Sequence, residues 1–205
     1  MQKEIIIKKN INNDFSEPLM YAAIKEHDEI CKYLIDKKVL INYFNIASSA
    51  SIITLAKKDI FVMIFNSSDD EVKETFLGEL LDKSIENKNI EVVDFLLQRD
   101  SPYENALFKA ISSHNIEIVN IVLNHNSKPA FINQLSSNGT ALNVAVKLNE
   151  YDIVKRLLSV PGIDPNLYAK ENITPLVSAI TNFNLDIINL ILDFYGDKIE
   201  SQTWQ

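Results

Sequence analysis

The chain has 205 residues, 46% of them hydrophobic, and its 20 Lys and Arg against 28 Asp and Glu leave a formal net charge of −8. With no basic cluster longer than Lys37-Lys38 or Lys57-Lys58, that balance opposes a phosphate-backbone binder, so nucleic acid is not expected as a partner. A single Cys excludes an internal disulfide framework, no apolar run is long enough to span a bilayer, and Ile5-Ile6-Ile7 is too short for a signal-peptide core, so the reading is a soluble, intracellular (cytoplasmic) protein.

Residues 1–16 are polar apart from Ile5 to Ile7, Ile11 and Phe15, and they are expected to cap whatever follows. From there one pattern recurs six times: an acid, two apolar residues, two variable ones and two more apolar ones. The copies begin at Glu29, Asp59, Glu91, Glu117, Asp152 and Asp186. The first apolar residue of each, here the marker, falls at Ile30, Ile60, Val92, Ile118, Ile153 and Ile187, spaced 26 to 35 residues apart. Apolar residues at i, i+1, i+4 and i+5 share one face of an α-helix, and an acid in its first turn favours the helix dipole. Asn89, Asn115 and Asn184 stand three residues before their markers and are expected to cap these helices, while His27, Lys57 and Glu150 fill the same slot elsewhere.

A second helix is expected before each of these. Eleven residues ahead of the marker stand Leu19, Leu81, Leu107, Leu142 and Leu176, with Ser49 as the exception. Eight residues ahead the side chain is small in Ala22, Ser84, Ala110, Ala145 and Ala179, with Ile52 departing, and small residues let neighbouring helices approach closely. The next position is Ala23, Ile53, Ile85, Ile111, Val146 or Ile180. Six helix-turn-helix repeats are expected, over 17–44, 45–73, 74–103, 104–137, 138–169 and 170–195. A single unit cannot bury enough apolar surface to offset the cost of ordering its chain, so stacking must supply the rest.

The segment Thr174-Pro175-Leu176-Val177-Ser178-Ala179 resembles the T-P-L-H-x-A signature of ankyrin repeats, with weaker copies at Pro18-Leu19-Met20-Tyr21-Ala22-Ala23 and Thr140-Ala141-Leu142-Asn143-Val144-Ala145. Ile163-Asp164-Pro165-Asn166, Leu40-Ile41-Asn42 and Phe131-Ile132-Asn133 are similar to the loop segment that follows the family's second helix. The resemblance implies an all-α ankyrin-like solenoid over 17–195, with short or degenerate hairpin loops, between the capping segment 1–16 and a tail at 196–205. Departures accompany it. Only Gly78, Gly139, Gly162 and Gly196 are present, so Asn42, Asn133, Asn138, Asn166 and Asn172 are expected to supply left-handed backbone in the loops. The repeat at 45–73 lacks the Pro-Leu start. Only Gln98 to Glu104 separate two helices, so the hairpin loop there is expected to be missing, and the long connection from Asn124 to Asn138 is expected to project or pack irregularly. Gly196 is expected to end the last helix.

Little chemistry is expected. Cys31 occupies the core slot of Phe61, Val93, Val119, Val154 and Ile188, and His27 is read as a turn or cap residue rather than its catalytic partner. His114 and His125 lie at opposite ends of one returning helix, about 16 Å apart, too far for a shared metal. Ser67-Ser68-Asp69-Asp70-Glu71 reads as a solvated acidic loop, and the sequons at Asn66, Asn138 and Asn172 would matter only in a secreted protein. No catalytic residue, cofactor or metal is expected. The resemblance instead implies protein binding through loop tips and first-helix ends that line a concave face. By position these are Tyr43, Phe44, Tyr168, Lys170 and Ile173 on loops, and Lys25, Lys147, Leu148, Thr181 and Asn182 near first-helix ends. The alternative is a structural, self-assembling role. The returning helix from Asp186 to Tyr195 is apolar on nearly every side, and the tail with Trp204, another copy forming a homo-oligomer, or further repeats would have to cover it.

Overall fold

The computed structural model describes residues 16–37, 54, 56–68, 70–99, 105–168 and 173–202. Among them are twelve helices and no strand beyond an isolated bridge between Ser136 and Gly139, which is the all-α ankyrin-type repeat architecture expected. The chain forms two compact units, Met1–Tyr103 and Glu104–Gln205.

The first unit holds α1 (Ser16–Ile24), α2 (Asp28–Asp36), α3 (Lys58–Ser67), α4 (Asp70–Glu86) and α5 (Ile90–Leu97). Helices α1 and α2 pair, as do α4 and α5, and the returning helices stack α2 on α3 and α3 on α5. The first helix expected in the 45–73 repeat, with Ser49, Ile52 and Ile53, lies outside the described residues, as do all but Ser16 of the expected cap at 1–16 and most of the connection from Gln98 to Glu104. Helix α4 begins at Asp70, well before the start expected near Leu81. Phe76, Leu77, Leu80 and Leu81 are all buried, so the i, i+1, i+4, i+5 apolar face extends upstream of Leu81 and carries the helix with it. This also corrects the acidic loop: Asp70 and Glu71 sit in the first turn of α4, and the Ser67 and Ser68 hydroxyls both donate to the Ile64 carbonyl at the end of α3, at 2.8 and 2.9 Å. The core here is partly aromatic, with the rings of Phe61, Phe65 and Phe95 mutually 5.6 to 5.9 Å apart.

The second unit holds α6 (Ala106–Ser112), α7 (Ile116–His125), α8 (Pro129–Ile132), α9 (Ala141–Lys147), α10 (Tyr151–Leu158), α11 (Pro175–Thr181) and α12 (Leu185–Gln202). First helices stack on first helices, α6 on α9 and α9 on α11, and returning helices on returning helices, α7 on α10 and α10 on α12. Ala110, Ala145 and Ala179 are fully buried, as are Ala22 and Ser84 in the first unit, so the small position is where helices close in. The connection after Asn124 does not project. It forms α8, buries Ile132, and brings Pro129 so near Gly162 that a Cβ there would lie 2.7 Å from the Pro129 Cγ. Gly196 does not end the last helix either, because α12 runs through it to Gln202; a helical Gly costs only about 1 kcal/mol relative to Ala.

Left-handed backbone falls elsewhere than expected. Asn133, Asn138 and Asn166 do not have positive φ, and Asn42 and Asn172 lie outside the described residues. Instead Glu26, Lys88, His114, Asn149 and Phe183 take φ of 54 to 60°, each four residues before a marker. They close a Schellman turn after the first helix: the N–H of His27, Asn89, Glu150 and Asn184 donates to the carbonyl of the small residue five positions back, Ala22, Ser84, Ala145 and Ala179. The side chains of the acids Glu29, Asp59, Glu91, Glu117, Asp152 and Asp186 are exposed in the first turns that follow. Asn89, Asn115 and Asn184 cap as expected, accepting from the backbone N–H of Val92, of Glu117 and Ile118, and of Ile187. His27, Lys57 and Glu150 make no such bond.

Two predictions follow from these positions. A non-glycine residue in left-handed backbone costs on the order of 1 kcal/mol, and Lys88 is exposed. Lys88→Gly is therefore predicted to raise the urea midpoint by the equivalent of about 0.5 to 1 kcal/mol, after allowing for the entropy of Gly in the unfolded chain; a lowered midpoint would refute the strain argument. The second concerns α9. Asn143 is buried rather than exposed, and it completes a capping box with Thr140: its Oδ1 accepts from the Thr140 N–H at 2.9 Å and its Nδ2 donates to the Ile173 carbonyl at 3.4 Å. Both Ala145→Leu, by overpacking, and Asn143→Ala, by orphaning buried partners, are predicted to cost about 1 to 3 kcal/mol, read as a shift in the unfolding midpoint.

Candidate functional surface

In the second unit two neighbouring first helices end side by side. Helix α9 stops at Lys147 with Leu148 as its C-cap, and α11 stops at Thr181 with Asn182 as its C-cap. The Asn182 Nδ2 reaches back to the last carbonyls of α9, donating to Val146 at 3.1 Å, which also accepts from the Asn149 N–H, to Lys147 at 3.4 Å, and to the Asn149 Oδ1 at 3.3 Å. Asn184 donates to the same Asn149 oxygen at 3.4 Å. The two turn tips, 147–151 and 181–185, are thereby held together.

Of the positions expected to bind, Lys147 and Thr181 are exposed here, and Leu148 is partly so. Asn182 is exposed as a residue, but its amide is committed to the neighbouring repeat. Tyr168 is exposed on a loop that is pinned from below: the Asp164 carboxylate accepts from the Asn166 N–H at 2.9 Å, and the Asn166 Oδ1 accepts from the Tyr195 hydroxyl at 2.8 Å. Partial burial, and then Asp164, raise the pKa of the Tyr195 phenol above its ordinary value. Ile173 is half-buried and offers its carbonyl to Asn143. Lys25 is exposed at the turn after α1, in the first unit. Tyr43, Phe44 and Lys170 lie outside the described residues.

Three apolar side chains at these tips were not anticipated. Tyr151 and Leu185 are exposed, and Phe183 is 90% exposed. In the register Phe183 occupies the left-handed turn slot that elsewhere holds Glu26, Lys88, His114 or Asn149. Backbone in that slot closes the turn and leaves the side chain outside the core, so an aromatic ring there was a legible signal once the slot was recognised.

The remaining candidates resolve into structure. Cys31 is fully buried in α2, and desolvation, then Asp28, pushes its thiol pKa up, the opposite of an activated nucleophile. His114 is not in the returning helix but in the turn before it, where its Nδ1 pairs with the Glu150 carboxylate. Among the described residues, no group of three or more His, Cys, Asp or Glu is placed to hold a metal ion, and no helix is long and apolar enough to cross a membrane.

Stacked helix pairs closed by Schellman turns, with a buried small residue at each close approach, define a helical repeat protein. The chain belongs to the ankyrin-repeat family: family models described as ankyrin repeats (3 copies) and ankyrin repeat match residues 81–169 and 17–46. It is also 25% identical over 201 residues to alpha-latrocrustotoxin-Lt1a of Latrodectus tredecimguttatus, a match that covers 92% of this chain and 13% of that protein. The chain thus spans a small fraction of that relative. Ankyrin repeats are generally protein–protein interaction modules, and the family is generally non-catalytic.

The Asn182 geometry separates a structural role from a binding one. Asn182→Ala removes the amide bonds to the Val146 and Lys147 carbonyls and to Asn149, and is predicted to destabilise the fold by about 1 kcal/mol. Thr181→Ala removes a hydroxyl that bonds only within its own helix, to the Val177 and Ser178 carbonyls, and is predicted to cost much less. Equal shifts in melting temperature for the two would contradict the bridging role.

Proposed function

We propose that this chain is a non-catalytic interaction module, and that in its second unit a protein partner docks across the joined tips of the last two hairpins and the Tyr168 loop. The observation that supports this most directly is the gathering of Leu148, Tyr151, Phe183 and Leu185, exposed apolar side chains on two turns that Asn149 ties together. Large rings held at low entropic cost on a rigid scaffold are effective interface anchors, and Lys147 beside them adds a charge that would orient a partner. Lys170, Ile173 and Thr181 remain part of the proposed binding face of the second unit by position in the repeat, and Lys25, Tyr43 and Phe44 are proposed, by the same position, as a binding surface of the first unit. Asn182 serves it indirectly, by fixing the tips. The proposed partner is a protein, and the cytoplasm is the proposed location.

The triple variant Lys147→Ala, Tyr168→Ala, Phe183→Ala is predicted to reduce recovery of specifically bound protein in affinity capture by at least tenfold while leaving the melting temperature within a few degrees. Undiminished capture of the same protein would place binding on another surface.

A further inference from the structure

The turn tips of the second unit repeat a two-residue signature. Each returning helix opens with an apolar residue followed by an acid: Ile116-Glu117 in α7, Tyr151-Asp152 in α10 and Leu185-Asp186 in α12. Both residues of the last two pairs are exposed, as is Glu117, while Ile116 is half-buried. A first-turn acid favours the helix dipole, but that attraction leaves its carboxylate in water with no fixed partner. Among the described residues no ion pair engages Glu117, Asp152 or Asp186, whereas Glu29 in the same slot of α2 holds Lys32 at 3.1 Å, and Glu150, the N-cap residue of α10, pairs with His114.

Across the tips 113–117, 147–152 and 181–186 the one permanent cation is Lys147, against four carboxylates. Lys147 belongs to the first helix α9 rather than to the row of first-turn acids, so it does not interrupt that row. The exposed ring of Tyr151 directly precedes Asp152, and that of Phe183 stands three residues before Asp186. A carboxylate and an aromatic face attract the same kind of group, a cation on an apolar stem. Spacing narrows the choice further. Helices α7, α10 and α12 stack in sequence, and packed helices lie roughly 8 to 10 Å apart, so the acids recur at about that interval. A polyproline-II segment has three residues per turn and rises about 9 Å in that turn. Every third side chain on such a segment faces the same way at the interval of the acids.

We infer that the partner docking on these tips presents an extended basic segment with arginine or lysine at every third position. Each cation meets one first-turn carboxylate, and Tyr151 and Phe183 pack against the cations at Asp152 and Asp186. The inference rests on the docking surface proposed above and adds the chemistry of its partner.

Fluorescence anisotropy with the full-length chain tests this on three labelled nine-residue peptides. One is Arg-Pro-Leu repeated three times, the second has glutamate for each arginine, and the third has the first one's composition with its three arginines contiguous. The periodic basic peptide is expected to bind at least tenfold more tightly than either of the others and to weaken as salt rises. It is expected to lose at least tenfold in affinity for the double variant Asp152→Asn, Asp186→Asn, and for Phe183→Ala. Circular dichroism melts check that both variants fold, and serine replaces asparagine if the double variant loses helix. Equal binding of the contiguous peptide overturns the spacing, and with it the inference; equal binding of the glutamate peptide overturns the charge. Failure of the periodic peptide to bind, or binding that neither variant weakens, overturns the inference too. Protein capture that still depends on Lys147, Tyr168 and Phe183 would then leave the docking surface in place with a partner of other chemistry, whereas capture indifferent to them would remove the docking surface itself.

Discussion

The close approach of first helices over a buried small side chain is the contact on which the other features depend. Ala110, Ala145 and Ala179 are fully buried, and a larger group at any of them would push apart backbones that packing elsewhere holds together. The same residues matter at a second level. In four of the five Schellman turns, the carbonyl of the small residue is the acceptor that closes the turn, so the site where helices touch is also where the chain reverses. Helix spacing and turn geometry are therefore specified by one position, and the returning helix is delivered to its neighbour at a set angle.

Asparagine, expected to supply left-handed backbone within the loops, instead ties neighbouring segments together. Asn89 caps α5 and also donates to the Thr54 and Ala56 carbonyls at 2.8 Å each. Asn133 links α8 to the Gly162 carbonyl at 2.8 Å and to the Asp164 N–H at 3.0 Å. Asn120 accepts from the Arg156 guanidinium at 2.8 Å, so even the returning helices α7 and α10 share a polar tie. A side chain with both a donor and an acceptor can satisfy groups on two repeats at once, and an unpaired backbone carbonyl at a helix end is costly if water cannot reach it. These links make the stack specific in register, beyond what apolar burial alone would impose.

Much of the fold was legible because its signal is periodic. The markers, the first-turn acids, the small position and three of the caps were each readable from spacing, and the structure places them as helix faces and helix ends. What could not be read depended on partners distant in sequence or on departures from the period. Nothing in the repeat period marks Asn143 as buried, but the Thr140 cap and the Ile173 carbonyl draw it inward. The early start of α4 was hidden by Ser67 to Glu71, whose polarity suits a helix start as well as a loop. Left-handed turns were assigned to asparagines by residue preference, whereas the turn slot is set by position, and five different side chains fill it.

The candidate surface follows the same logic in reverse. Residues that obey the register are accounted for by packing, so a binding surface must be sought among those that depart from it, and the departures are few. Phe183 places a ring in a slot whose geometry excludes burial, and Ile180 and Leu192 keep core identities without the burial their counterparts have. The first departure is a matter of residue type and could be seen once the slot was defined. The second is a matter of environment, invisible in a sequence where Ile180 reads like Ile111 and Val146. Exposed apolar side chains of these two kinds carry different implications. A ring on a turn tip is held outside the core by the backbone of its own slot, whereas Ile180 and Leu192 are exposed because no described helix packs over them.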